Sequence, residues 1–103
     1  MKKSKRAKAC DIPKKVKDLV WERDGQRCII CGSRYAFPNS HFIRRSQGGL
    51  GIPENIVSMC NRCHMMYDQG SDRRAIEAFT ENYLKNLYPD WSREKLIYKK
   101  GDF

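Results

Sequence analysis

Cys28-Ile29-Ile30-Cys31-Gly32 and Cys60-Asn61-Arg62-Cys63-His64 decide how this chain folds. Two Cys-x-x-Cys pairs, each presenting two sulfurs from one tight turn, form the usual tetrahedral thiolate arrangement for zinc. They lie far enough apart to enclose a hairpin. A 103-residue chain that is 40% hydrophobic and 32% charged has room for one modest core, so a metal or disulfide staple is expected. No apolar stretch follows the basic first eight residues and no segment reaches the ~20 apolar residues of a membrane span. A secretory leader and a membrane partner are therefore not expected, and a reducing cytoplasm is the default compartment. There, paired cysteines bind zinc sooner than they oxidise. Cys10, the fifth cysteine, is read as a free thiol near a mobile end.

Outward from the knuckles, residues 1–10 carry Lys2, Lys3, Lys5, Arg6 and Lys8 and read as a disordered basic arm, with residues 11–103 as a single domain. A helix is expected from Asp11, which can cap it, with Pro13 in its first turn and Val16, Leu19 and Val20 on one face. Asp24-Gly25 ends it. Residues 35–43 read as a strand, 44–53 as a polar, glycine-rich loop, and Ile56 to Met59 as the return strand. The second knuckle opens a helix running to about Gln69, closing a core of residues 26–70. A helical segment follows over 72–103. Its long helix ends near Leu87 with Ile76, Phe79, Tyr83 and Leu87 as the apolar stripe. Trp21, Phe79, Tyr83 and Trp91 are core candidates.

A net charge of +9 points to a polyanionic partner, because phosphate neutralisation supplies most non-specific affinity for nucleic acid. Both histidines fall inside or directly behind the bracketed segment. His64 and Asp68 are one helical turn apart and can chelate one cation. A strand, loop and strand followed by that helix bring His41 opposite them, setting a potential base beside a potential metal.

These residues resemble the HNH endonuclease family. The resemblance rests on Ser40-His41-Phe42-Ile43-Arg44-Arg45-Ser46-Gln47-Gly48-Gly49, on Pro53-Glu54-Asn55-Ile56-Val57 and on Cys60-Asn61-Arg62-Cys63-His64, and spans roughly residues 12–70. It implies a small, zinc-stabilised α+β fold with a ββα-metal, treble-clef-like core and flanking N- and C-terminal helices. It implies a structural zinc on Cys28, Cys31, Cys60 and Cys63, as in bacterial and phage members. It makes His41 the general base, Asn55 the residue that pins the loop and orients the base, and His64, with Asp68, a ligand of the catalytic cation. Ser40 departs from the pattern, standing where many members carry Asp or His; it is a weak ligand, directly or through a water.

The expected reaction is hydrolysis of DNA phosphodiester bonds, with Mg²⁺ or Mn²⁺ as the cation and Ni²⁺ or Zn²⁺ as further options. Arg44, Arg45 and Arg62 are candidates for gripping phosphates near the cut, and the basic arm for longer-range attraction. The alternative reading is a non-catalytic zinc-knuckle module that binds nucleic acid, or an adaptor for a phage packaging or recombination machine.

Overall fold

The computed structural model describes residues 4–99. In chain order they form helix α1 (Lys5–Cys10), helix α2 (Lys14–Arg23), strand β1 (Ala36–His41), strand β2 (Ile56–Cys60), helix α3 (Asn61–Gln69) and helix α4 (Arg73–Leu87), with short 3-10 turns at Arg45–Gln47 and Arg93–Leu96. This is the expected small α+β fold, with a β-hairpin and a following helix flanked by N- and C-terminal helices. No helix among the described residues is long and apolar enough to cross a membrane.

The hairpin is antiparallel, pairing Ala36 with Cys60, Ser40 with Val57 and His41 with Ile56, and it is irregular between Phe37 and Ser40. One extra residue on β1 at that point is a bulge. Every residue of β2 is buried, because helices cover both faces of the sheet. Ile56 joins Val16 and Val20 of α2 in one apolar cluster, whereas Val57 and Met59 belong to the main core with Tyr67, Ile76, Leu84, Trp91 and Leu96. Adjacent strand residues point to opposite faces, so this division follows from the pleat.

A buried ion pair joins the layers. Asp24, at the C-terminus of α2, accepts from Arg23 Nε at 2.8 Å, from the Ser58 amide at 2.8 Å and from the Tyr83 hydroxyl at 2.6 Å. The Arg23 guanidinium continues to the carbonyls of Pro53 and Ile56, both at 2.7 Å. One carboxylate thus links α2, β2 and α4, and its partner secures the entry to β2. Ring packing closes the far end: Phe42 and Trp91 meet edge to face at 5.5 Å, and the Trp91 indole donates to the Glu54 carbonyl.

Several expectations are corrected. The arm is not unstructured over Lys5–Cys10: it is α1, capped by the Ser4 hydroxyl accepting from the Ala7 amide at 3.1 Å. Lys2, Lys3 and Lys100 lie outside the described residues. Cys10 is buried, not a thiol at a mobile end. Pro13, not Asp11, occupies the N-cap position of α2, and Leu19 is exposed while Val16 and Val20 are buried. The buried stripe of α4 is Ile76, Thr80 and Leu84. Thr80 can be buried because its hydroxyl donates to the Ile76 carbonyl, and Phe79 and Leu87 are thereby turned out to solvent. The segment from Leu96 to Tyr98 also has a place. Leu50 donates to the Leu96 carbonyl and Tyr98 to the Gly48 carbonyl, both at 2.8 Å, fastening the C-terminal segment to the β1–β2 loop.

Removing one member of a buried ion pair strands the other without water. Asp24→Ala is expected to destabilise the protein by about 3–5 kcal/mol, and Tyr83→Phe by about 1.5–3 kcal/mol, in urea unfolding of the zinc-loaded protein.

Candidate functional site

The first knuckle is a turn held by its own backbone: Gly32 donates to the Cys28 carbonyl and Cys28 to the Ser33 carbonyl. Its next residue, Ile29, donates to the Ser58 carbonyl, which docks the turn on β2. The second knuckle is the junction of β2 and α3. Cys60 caps α3, its sulfur accepting from the Cys63 amide at 3.4 Å. The four cysteine sulfurs lie within 4.8 Å of one another, and Cys31 Sγ and Cys60 Sγ are 3.6 Å apart. Tetrahedral zinc with Zn–S bonds of about 2.3 Å requires sulfur separations of about 3.8 Å, so the donor set fits that ion. Burial pushes the Cys28 thiol up, but hydrogen bonds with the backbone at Cys31, Cys60 and Ile30 outweigh it and bring the group to about 7. The opposite holds for Cys63, which burial pushes upward. A bound dication would hold all four as thiolates.

A second group of side chains gathers at the other end of the hairpin. A cleft of about 400 Å³ is lined by Asn39, His41, Arg44, Arg45, Ser46, His64, Tyr67 and Asp68. His41 is the last residue of β1, and its Nε2 lies 2.9 Å from the Cys10 carbonyl. A carbonyl only accepts, so Nε2 carries the proton and Nδ1 is the free basic nitrogen of the neutral ring. Burial, with the nearby Arg45 and His64, holds the His41 imidazole below its ordinary value of 6.5, against the opposing effects of the Cys10 carbonyl and Asp11.

Ser40 precedes His41 and points to the other face of the hairpin, buried, with its hydroxyl 3.0 Å from His64 Nδ1. The two atoms share a hydrogen bond, so holding one cation between them would require the proton of that bond to turn away. Asp68 is on the cleft, but Arg44 holds it, donating to its carbonyl at 3.0 Å with a carboxylate contact at 3.5 Å. Among the described residues the four cysteines form the group of three or more metal-binding side chains; His64 and Asp68 contribute two such groups to the cleft.

Asn55 is fully buried and spans the loop. Its Oδ1 accepts from the Ile43 amide at 2.7 Å, and its Nδ2 donates to the Leu50 carbonyl at 2.8 Å. Gly49 permits the tight closure: a Cβ there would sit 1.7 Å from the Ile43 carbonyl oxygen. Asn55 therefore ties the loop shut, while the ring of His41 has a different partner, Cys10. The basic residues divide. Arg44 and Arg45 line the cleft, whereas Arg62 is exposed on α3 outside its lining. Arg45 pairs with Asp11, and Arg6 donates to the Ser46 carbonyl; Lys5 and Lys8 are exposed on α1. Asn39, Ser46, Tyr67 and the Cys10 carbonyl were not anticipated from the sequence. Only Ser4, followed by helix-forming residues, hinted that the segment bearing Cys10 is ordered.

The zinc assignment makes a direct demand. The purified, reduced protein is expected to carry one zinc per chain by elemental analysis, and its removal by a strong chelator should abolish the folded circular-dichroism signal. Cys63→Ser, which removes a buried ligand, should do the same without chelator.

No family model matches the chain, and no curated protein matches it. Among solved structures it is similar to the type IV phosphorothioation-dependent restriction endonuclease ScoMcrA, with a TM-score of 0.66 and 19% identity over 87% of this chain and 20% of that one. The chain thus spans about a fifth of that protein, and at this identity the likeness establishes a shared fold.

Proposed function

We propose that the chain is a metal-dependent endonuclease of the HNH type that hydrolyses DNA phosphodiester bonds in the cleft between β1 and α3. The observation that carries this reading is the hydrogen bond between His41 Nε2 and the Cys10 carbonyl. A histidine with Nε2 committed to a carbonyl and Nδ1 left as acceptor, on a cleft shared with His64 and two guanidinium groups, is prepared to take a proton beside a bound phosphate. The fold shared with a restriction endonuclease supports the same reading.

In this mechanism His41 accepts the proton of the attacking water through Nδ1. The Cys10 carbonyl stabilises the resulting imidazolium through the opposite nitrogen. His64, Ser40 and Asp68 are the residues that would hold a divalent cation, Mg²⁺ or Mn²⁺ in the first instance, with Ser40 donating its proton away from His64 Nδ1. When bound, the cation supplies Lewis-acid stabilisation of charge on the phosphate and on the leaving oxygen. Arg44 lies beside both sets of groups on the cleft, and the exposed third of its side chain can meet a phosphate oxygen. Asn55 keeps the loop closed so that Arg44 and His41 hold their spacing.

The competing reading, a zinc-knuckle module that binds nucleic acid without cutting it, is favoured by Ser40, a neutral hydroxyl, and by the Arg44 contact on Asp68. A role as an adaptor in a packaging or recombination machine would use the same surface. Plasmid cleavage with Mg²⁺, Mn²⁺ or Ni²⁺ separates these. Because the structural neighbour is described as phosphorothioation-dependent, plasmids with and without phosphorothioate linkages belong in the assay. His41→Ala is expected to lose about 10²–10⁴-fold in rate while retaining DNA binding. Absence of cleavage by the parent with every metal and both plasmids would favour the binding module.

The active base is neutral, so activity is present above its folded-state pKa and lost as pH falls through it. That value is lowered from 6.5. The acid limb of the rate profile should therefore lie below pH 6.5, and a limb above that value would contradict the assignment.

A further inference from the structure

We propose that helix α1 and the Ala9–Asp11 segment behind it form a positioning element for His41, deciding which ring nitrogen is free to take a proton. This rests on the reading of His41 as the general base. The segment precedes the hairpin by a helix and two turns, yet it supplies the hydrogen-bond partner of the His41 ring, the Cys10 carbonyl at 2.9 Å. A solvent-exposed imidazole exchanges between two tautomers. One pinned through Nε2 to an acceptor keeps a single tautomer and a single ring orientation.

The Cys10 carbonyl can do this only if its own position is held, and contacts on either side hold it. Gly51 donates its amide to the Ala9 carbonyl at 2.9 Å. The backbones touch there: a Cβ on Gly51 would lie 1.9 Å from the Asp11 carbonyl oxygen and 3.1 Å from Ile12 Cα. Across the segment, Arg45 donates to the Ala7 carbonyl at 3.3 Å and pairs with the Asp11 carboxylate. Arg6 reaches the Ser46 carbonyl at 2.9 Å. The Cys10 side chain itself is buried, 1% exposed. Loop and N-terminal segment therefore clasp each other at Arg6–Ser46, Arg45–Asp11 and Ala9–Gly51, with the carbonyl that faces His41 in the middle. Arg6 and Arg45 work in this clasp, and the loop that Asn55 ties shut is the surface it grips.

Gly51→Ala in the full chain tests this without touching His41 or Cys10. The added methyl must displace the Ala9–Ile12 backbone. With zinc content and DNA binding unchanged, kcat for plasmid cleavage is expected to fall on the order of 10²-fold, as a misplacement of about 1 Å does, with KM altered by less than about twofold. A purely structural role would not move the second readout, the His41 tautomer seen by proton–nitrogen correlation NMR. The parent should show the Nε2–H form alone and the variant a mixture. Cleavage by the parent that is undiminished in a folded Gly51→Ala overturns the proposal. So does a parent spectrum with Nδ1–H or mixed tautomers, a measurement that stands even where the variant fails to fold. A parent that holds the Nε2–H form yet cuts no DNA overturns the nuclease reading instead.

Discussion

Four sulfur atoms within 4.8 Å of one another constrain this molecule more than any other interaction. They bring the turn after α2 against the junction of β2 and α3, and that junction sets the direction in which α3 leaves the hairpin. Because Cys60 caps α3 and Cys63 lies in its first turn, the axis of the helix is decided within a few residues of the metal site. His64 follows at once and can only face the hairpin. The four-cysteine site converts a short, charge-rich chain into a rigid mount for a histidine. A two-stranded sheet is marginal alone, and here it is made secure by the metal site at one end and by helices on both faces.

The cleft is the other product of that mount. The bulge in β1 and the pleat send Ser40 toward α3 and His41 toward the N-terminal helices. The two neighbours in sequence thus enter different environments, one against His64 and the other against Cys10. In the proposed mechanism this division sets the residues that would hold a cation apart from the residue that takes the proton. It also explains the order of the loop between the strands, which three separate parts of the chain hold: Asn55 from within, the Ala9 carbonyl from the N-terminal side and Leu96 with Tyr98 from the C-terminal side. Phe42 and Ile43 anchor the start of the loop in the core and Ile52 packs against it; the shape of the stretch over residues 44–51 depends on these polar contacts.

The electrostatics follow a similar economy. A chain of net charge +9 must keep its basic groups apart or pair them. Some are set aside for structure: Arg23 is buried with Asp24 and stacked near Tyr83 and Tyr88, and Arg93 pairs with Glu81 and lies over Phe42. Others line the cleft. Which arginine belongs to which class has no expression in local sequence, since Arg44 and Arg45 are adjacent and differ in partner: Asp68 for one, Asp11 for the other.

What the sequence by itself determined is everything that depends on spacing. The paired knuckles, the hairpin between them, the helix starting at the second knuckle, and the candidate residues His41, Asn55 and His64 are all legible, because ligand geometry, strand pleat and helical turn act over a few residues. The apolar stripe of α4 was misread for a related reason. Periodicity admits two neighbouring faces, and only burial of Thr80, made tolerable by its bond to Ile76, selects one. The helix in the basic arm, the burial of Cys10, the engagement of Arg6 and Arg45 and the partner of the His41 ring were decided by tertiary structure alone. The Arg6–Ser46, Arg45–Asp11 and His41–Cys10 contacts join residues more than thirty positions apart, and two of the three are made to backbone carbonyls. A carbonyl has no side-chain identity to read, so its role becomes visible only once the chain has closed on itself.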